Sequence, residues 1–215
     1  MPRVPLYLKN IVCLEALWTE ELENRLSVLP ILELTARTTS TKFIYLTCNT
    51  KAELRHNLGL VSRKKSYGIL VLAFHGDPGK IELAKHVVVS LDSLATMMGR
   101  KFAGWVVHFA SCSTVQADEE RLTRFVTETQ VALVTGFTQT LDWTEGAVMD
   151  LLLLRWLQDY RDLNAFWKHL QKRYPDLIET TGMTAFPLAL ATQTKSQPQP
   201  NARGRGSRRK TSAPG

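Results

Sequence analysis

Cysteine is scarce in this 215-residue chain, which holds three: Cys13, Cys48 and Cys112. An odd number without paired spacing argues against a disulfide framework and against a zinc site. The five histidines are scattered, with no HxH or HxxxH arrangement, so neither metal nor cofactor is expected. Long hydrophobic runs are also missing. The longest strongly apolar stretch, AVMDLLLL at residues 147–154, is broken by Asp150 and is far too short to span a bilayer. The first residues lack the unbroken apolar stretch and small-residue cleavage site of a signal peptide, so a cytoplasmic protein without a membrane partner is expected. No GxGxxG or GxxxxGK(S/T) follows any strand-like run, which argues against a flavodoxin-like or nucleotide-binding protein. Ser111 and Ser113 sit in no GxSxG elbow, so a serine hydrolase is not expected either.

Charge imbalance is confined to one end. The full chain carries +7, of which six belong to Lys195, Arg203, Arg205, Arg208, Arg209 and Lys210, so the first 192 residues are close to neutral. The composition there shifts to Gln, Pro, Gly, Ser, Arg and Lys, which cannot bury a core, and a disordered basic tail is expected over 191–215. RGRGSRRK at residues 203–210 could hold a phosphate backbone weakly and in a salt-dependent way. No other nucleic-acid contact is expected.

What is present is a pair of strand ends. Residues 105–114, WVVHFASCST, place a β-branched and aromatic run ahead of Ala110, Ser111 and Cys112. Residues 67–76, YGILVLAFHG, end in the same way on His75 and Gly76. Parallel strands deliver the residues after their carboxyl ends to the crevice where α/β proteins do their chemistry. A cysteine and a histidine so delivered are the types needed for a nucleophile and its base. Cys13 and Cys48 lie in apolar strand-like runs and are expected in the core, as is His108, inside its strand.

Further strands are expected at residues 11–14, 42–48 and 131–135, and a hairpin at 80–84 and 86–89. Helices are expected from Thr19, as N-cap, to just before Pro30, then over residues 51–58, 90–98, 118–129, 145–160 and 163–174. Gly59 and Pro175 are expected to stop the helices before them. This alternation implies an α/β domain over residues 1–190, with a mostly parallel central sheet and helices on both faces.

LAFHG (residues 72–76) and HFASCS (residues 108–113), each at a strand end, resemble the motifs of caspase-like cysteine peptidases, and among them the CHAT group. The resemblance implies a caspase-like three-layer sandwich and a cysteine endopeptidase acting on protein or peptide substrates. In it Cys112 is the nucleophile and His75 the base. The backbone N–H groups of Gly76 and Cys112 would form the oxyanion hole. The helix after Cys112 would present its amino end to the thiolate. Relatives that cut after Lys or Arg carry an acid near the end of the strand after the catalytic one. Asp142 is the best-placed candidate and Asp77 the second, although Asp142 is equally suited to cap the following helix. Glu15 would orient substrate or the His75 ring if it were not simply a surface residue, and Trp143 would wall the pocket. The resemblance also implies a role in bacterial defence or stress signalling, and since the 215 residues show no separate recognition domain, a regulatory partner protein is expected. The alternative is a catalytically silent caspase-like scaffold or signalling module.

Overall fold

A computed structural model describes residues 9–19, 23 and 25–187. Six strands form the central sheet: β1 (Asn10–Glu15), β2 (Phe43–Thr47), β3 (Tyr67–Ala73), β7 (Val106–Phe109), β8 (Leu133–Phe137) and β9 (Met183–Phe186). Their order is β2-β1-β3-β7-β8-β9, parallel throughout except for β9, which runs antiparallel to β8. Alternate side chains of each strand point to opposite faces, so one run of residues serves two cores. Val12, Leu14, Leu70, Leu72, Val107 and Phe109 face one core. Ile11, Cys13, Ile69, Val71 and Val106 face the other.

The first core is covered by α2 (Lys51–Val61), α3 (Leu91–Met98) and α4 (Glu119–Thr129). The second is covered by α1 (Leu29–Thr39), α5 (Trp143–Asp159), α6 (Leu163–Arg173) and α7 (Pro175–Thr181). The expected parallel sheet with helices on both faces is therefore present. Helix starts follow their caps. Thr50 and Glu53 form a reciprocal capping box on α2, while Asp118, Asp142 and Asp162 accept first-turn N–H groups of α4, α5 and α6.

Two expectations need correction. The helix expected from Thr19 falls partly on residues 20–22 and 24, outside the described ones, and its described residues Thr19, Glu23 and 25–28 are not helical. The first helix begins at Leu29 instead and takes Pro30 into its first turn, where the missing N–H costs nothing. Gly59 does not stop α2, which continues to Val61 because Val61 is buried with Leu54 and Leu58. Pro175 does follow the end of α6, as expected, and also opens α7. The segment after Pro175, to which the sequence assigns no element, forms α7 and the edge strand β9. The expected tail, 191–215, lies outside the described residues.

A second, three-stranded antiparallel sheet lies between β3 and α3. It consists of β4 (His75–Asp77), β5 (Lys80–Leu83) and β6 (Val87–Ser90), in that order. The expected hairpin thus gains a third strand, and that strand holds the His-Gly motif.

Candidate active site

From β1 the chain moves outward to β2 on one side, whereas β3, β7 and β8 follow on the other. A reversal of this kind opens a crevice at the carboxyl ends of the central strands. Glu15 ends β1, His75 and Gly76 follow β3, and Cys112 follows β7, the strand paired with β3. The turns after β3 and β7 are in direct contact. A Cβ atom at Gly76 would collide with Thr114 Oγ1 and the Cys112 carbonyl oxygen, and would lie 3.0 Å from Ser111 Cβ. Only glycine permits this approach. The Thr114 hydroxyl also donates to the Lys80 carbonyl at 3.2 Å, and Gly79 N–H donates to the Thr114 carbonyl at 3.1 Å, tying the cysteine turn to the small sheet.

Cys112 is half-buried, and its backbone N–H donates to no acceptor among the described residues. The next residue, Ser113, takes a left-handed conformation at φ 52° and donates its N–H to the Gln139 carbonyl at 3.2 Å. Non-glycine residues in this region carry local strain that the surrounding structure must hold. The helix after Cys112 starts at Glu119, close to the expected 118, which puts its amino end seven residues beyond the thiol rather than directly after it.

His75 is exposed, and its Nε2 lies 2.7 Å from the Trp18 carbonyl oxygen. A carbonyl only accepts, so Nε2 carries the proton and Nδ1 is the basic nitrogen of the neutral ring. The Trp18 ring meets His75 edge-on, with centroids 5.2 Å apart, and meets Trp143 at 4.9 Å. Its position just after the end of β1, at the topological reversal, is the signal that marks it.

Glu15 is neither a surface residue nor open to substrate; it is 2 % exposed. Its carboxylate accepts from Trp18 Nε1 at 2.7 Å, Val28 N–H at 2.8 Å, Ser27 Oγ at 2.6 Å and the Tyr45 hydroxyl. Four donors compensate a buried carboxylate. Glu15 therefore reaches His75 through Trp18. Burial, followed by the hydrogen bond to Glu15, pushes the Tyr45 hydroxyl from 10.0 up to about 12.

A partly open cleft runs from the Cys112 turn along the first turns of α5. Its apolar walls include Trp18, Ile31, Phe137, Leu141 and Trp143. Asp142 lies exposed at its mouth, and one carboxylate oxygen accepts from Thr144 N–H at 2.8 Å and Glu145 N–H at 3.3 Å. The same aspartate is thus both helix cap and cleft residue. Deeper in lies Asp150, 6 % exposed, its Oδ1 accepting from His108 Nε2 at 2.7 Å. His108 Nδ1 stands 3.0 Å from the hydroxyl of Thr135, its register partner on β8. His108 is the satisfied core histidine that was expected. Asp150 had been noted only as a break in an apolar run.

Asp77 is exposed on β4, paired with Lys80 at 3.1 Å, and is not among the cleft-lining residues. Cys13 and Cys48 are buried, as expected. Burial, with the Glu15 and Asp150 carboxylates adding to it, pushes the Cys13 thiol well up; burial also raises Cys48 to about 12. Among the described residues no group of three or more His, Cys, Asp or Glu side chains is placed to hold a metal ion, and no helix is long and apolar enough to cross a membrane.

A family model described as "Family of unknown function (DUF6642)" matches residues 8–186. The chain belongs to that family. The match spans every strand and helix named above, both motif-bearing strand ends and the whole lining of the cleft. No curated protein matches the chain.

Proposed function

We propose that the protein is a cysteine endopeptidase of the caspase-like kind, with Cys112 as nucleophile and His75 as its base. The observation that carries this reading is the interlocked pair of strand ends: His75–Gly76 after β3 packs against the turn of Cys112 after β7, and Cys112 lines a cleft. A buried structural cysteine needs no such arrangement, and the other two cysteines have none.

In the proposed reaction the Cys112 sulfur attacks the scissile carbonyl carbon while the thiol proton passes to Nδ1 of His75. Trp18 holds the opposite nitrogen, which leaves Nδ1 as the acceptor. A C–S bond forms and the carbonyl π pair moves to oxygen, where the backbone N–H groups of Gly76 and Cys112 would receive it. Collapse breaks the C–N bond, and the His75 proton goes to the leaving amine. Water then hydrolyses the thioester by the same path. The carboxylates of Asp142 and Asp150 and the apolar walls favour a substrate side chain with a hydrocarbon stem and a cationic end, a lysine or arginine.

The test is hydrolysis of a fluorogenic peptide panel varying the residue before the scissile bond, with Cys112→Ala and His75→Ala as controls. Cleavage after a basic residue, abolished in both variants while their melting curves stay cooperative, is the expected result. Activity that survives Cys112→Ala would end the reading. No turnover, together with slow iodoacetamide uptake at Cys112, would favour the silent caspase-like scaffold.

A further inference from the structure

We propose that Asp150 is the specificity residue at the bottom of the cleft, and that it selects a lysine-type primary ammonium over a guanidinium. This inference rests on the peptidase reading above and adds what that reading leaves open. Asp142, the N-cap of α5, and Gly146 and Asp150 on the helix stand four residues apart along one side of it, about 12 Å from first to last. All three line the cleft. This side leads from an exposed acid, past a residue without a side chain, to a buried acid.

The two oxygens of Asp150 are not equivalent. Oδ1 accepts from His108 Nε2 at 2.7 Å, and His108, fully buried, is held in turn beside the Thr135 hydroxyl. Oδ2 has no hydrogen-bond partner among the described residues. A guanidinium reaches its best geometry as a fork, with two parallel N–H bonds to both oxygens of one carboxylate. His108 occupies one of them. An ammonium is a compact charge with three rotatable donors and needs only the free oxygen. The apolar walls suit its four-carbon stem. A neutral apolar side chain would fill the same walls but leave the carboxylate oxygen desolvated and unpaired. His108 is thus a positioning residue: it acts on substrate through Asp150.

The test uses the full chain and three peptidyl acyloxymethyl ketones that differ only in the specificity residue: lysine, arginine or norleucine. In each, the cysteine sulfur forms a C–S bond to the methylene carbon as the C–O bond to the carboxylate leaving group breaks. Adduct formation at Cys112 is followed by intact mass, with iodoacetamide as a reagent too small to use the cleft. The lysine reagent should react at least about tenfold faster than norleucine, and faster than arginine. In Asp150→Asn the lysine and norleucine rates should converge while the iodoacetamide rate stays unchanged. His108→Leu frees Oδ1 and should move the lysine-to-arginine ratio towards arginine, which a merely structural histidine would not do.

Equal lysine and norleucine rates in the unmodified chain, an arginine rate matching lysine, or a lysine advantage that survives Asp150→Asn would each overturn the inference. The first two comparisons need no variant, so misfolding of a substituted chain does not rescue it. Gly146→Ala, whose new methyl would meet only Leu141 Cδ1 at 3.4 Å, keeps Asp150 in place and should slow all three ketones while sparing iodoacetamide. If Cys112 takes up iodoacetamide but none of the three ketones, the peptidase reading fails and this inference falls with it. Selective failure of the lysine preference leaves the peptidase standing.

Discussion

Gly76 lies so close to Cys112 that no side chain fits between the Gly76 backbone and the Cys112 carbonyl oxygen. The contact joins turns that follow β3 and β7, two parallel neighbours in the central sheet. It fixes the peptide after the histidine against the peptide of the cysteine, and both cores of the domain support it from below. Catalytic geometry of the kind proposed depends on such fixation more than on flexible side chains.

Gly76→Ala should therefore be costly in two ways. Its methyl must displace either the cysteine turn or β4, at about 1–3 kcal/mol. A lowered melting temperature, together with a changed rate of Cys112 alkylation, is the expected outcome. Unchanged values of both would show that the turns yield freely.

The three thiols should separate by reactivity. Cys13 and Cys48 are buried and their thiols are pushed up, Cys48 to about 12, so both remain protonated through neutral and mildly alkaline pH. Cys112 is half-buried, at the lip of the cleft. Brief iodoacetamide treatment of the native protein should give one adduct, mapped to Cys112 by peptide mass. Treatment in denaturant should give three.

Much of the scaffold was legible in the residues, and the reason is periodicity. Runs such as YGILVLA and WVVHF are too apolar for a surface strand, and the alternation of strands with capped helices leaves little choice but a parallel sheet. The short terminal pieces α7 and β9 carry no such pattern; tertiary pairing with β8 makes the strand. At the site, His75, Gly76 and Cys112 were legible because strand ends announce them. Glu15 was legible as a strand-end residue near the His75 ring but not as a buried carboxylate, and Trp18 was not legible at all, because its work is a backbone carbonyl that only the fold brings to its partner. One signal was available and passed over. Asp150 interrupts an apolar helix run and His108 an apolar strand, and two such interruptions are each other's explanation.

Tyr45 offers a pH test of the Glu15 cluster. Its hydroxyl is raised from 10.0 to about 12 in the folded chain, so the folded state holds that proton more tightly than the unfolded one. The contribution is full below pH 10 and is lost as pH rises towards 12. The stability difference between the unmodified chain and Tyr45→Phe, from denaturant curves, should shrink across that window. A difference independent of pH would mean that the hydroxyl does not face the Glu15 carboxylate.

The His75 ring gives the most direct reading of the site, because its tautomer is dictated by one contact. Nε2 lies 2.7 Å from a carbonyl that can only accept, so the neutral ring must keep its proton on Nε2 and leave Nδ1 bare. Free neutral imidazole prefers the same tautomer only weakly, so the informative quantity is how far the equilibrium is driven. Long-range proton–nitrogen spectra at alkaline pH, assigned with His75→Gln, should show one protonated and one fully pyridine-like nitrogen, without averaging. The Glu15→Gln variant should loosen Trp18, since Glu15 holds its indole N–H, and should return the two nitrogens partway towards the averaged values of an exposed histidine. Averaged shifts already present in the unmodified protein would mean that the Trp18 carbonyl does not orient the ring, and the choice of Nδ1 as base would lose its support.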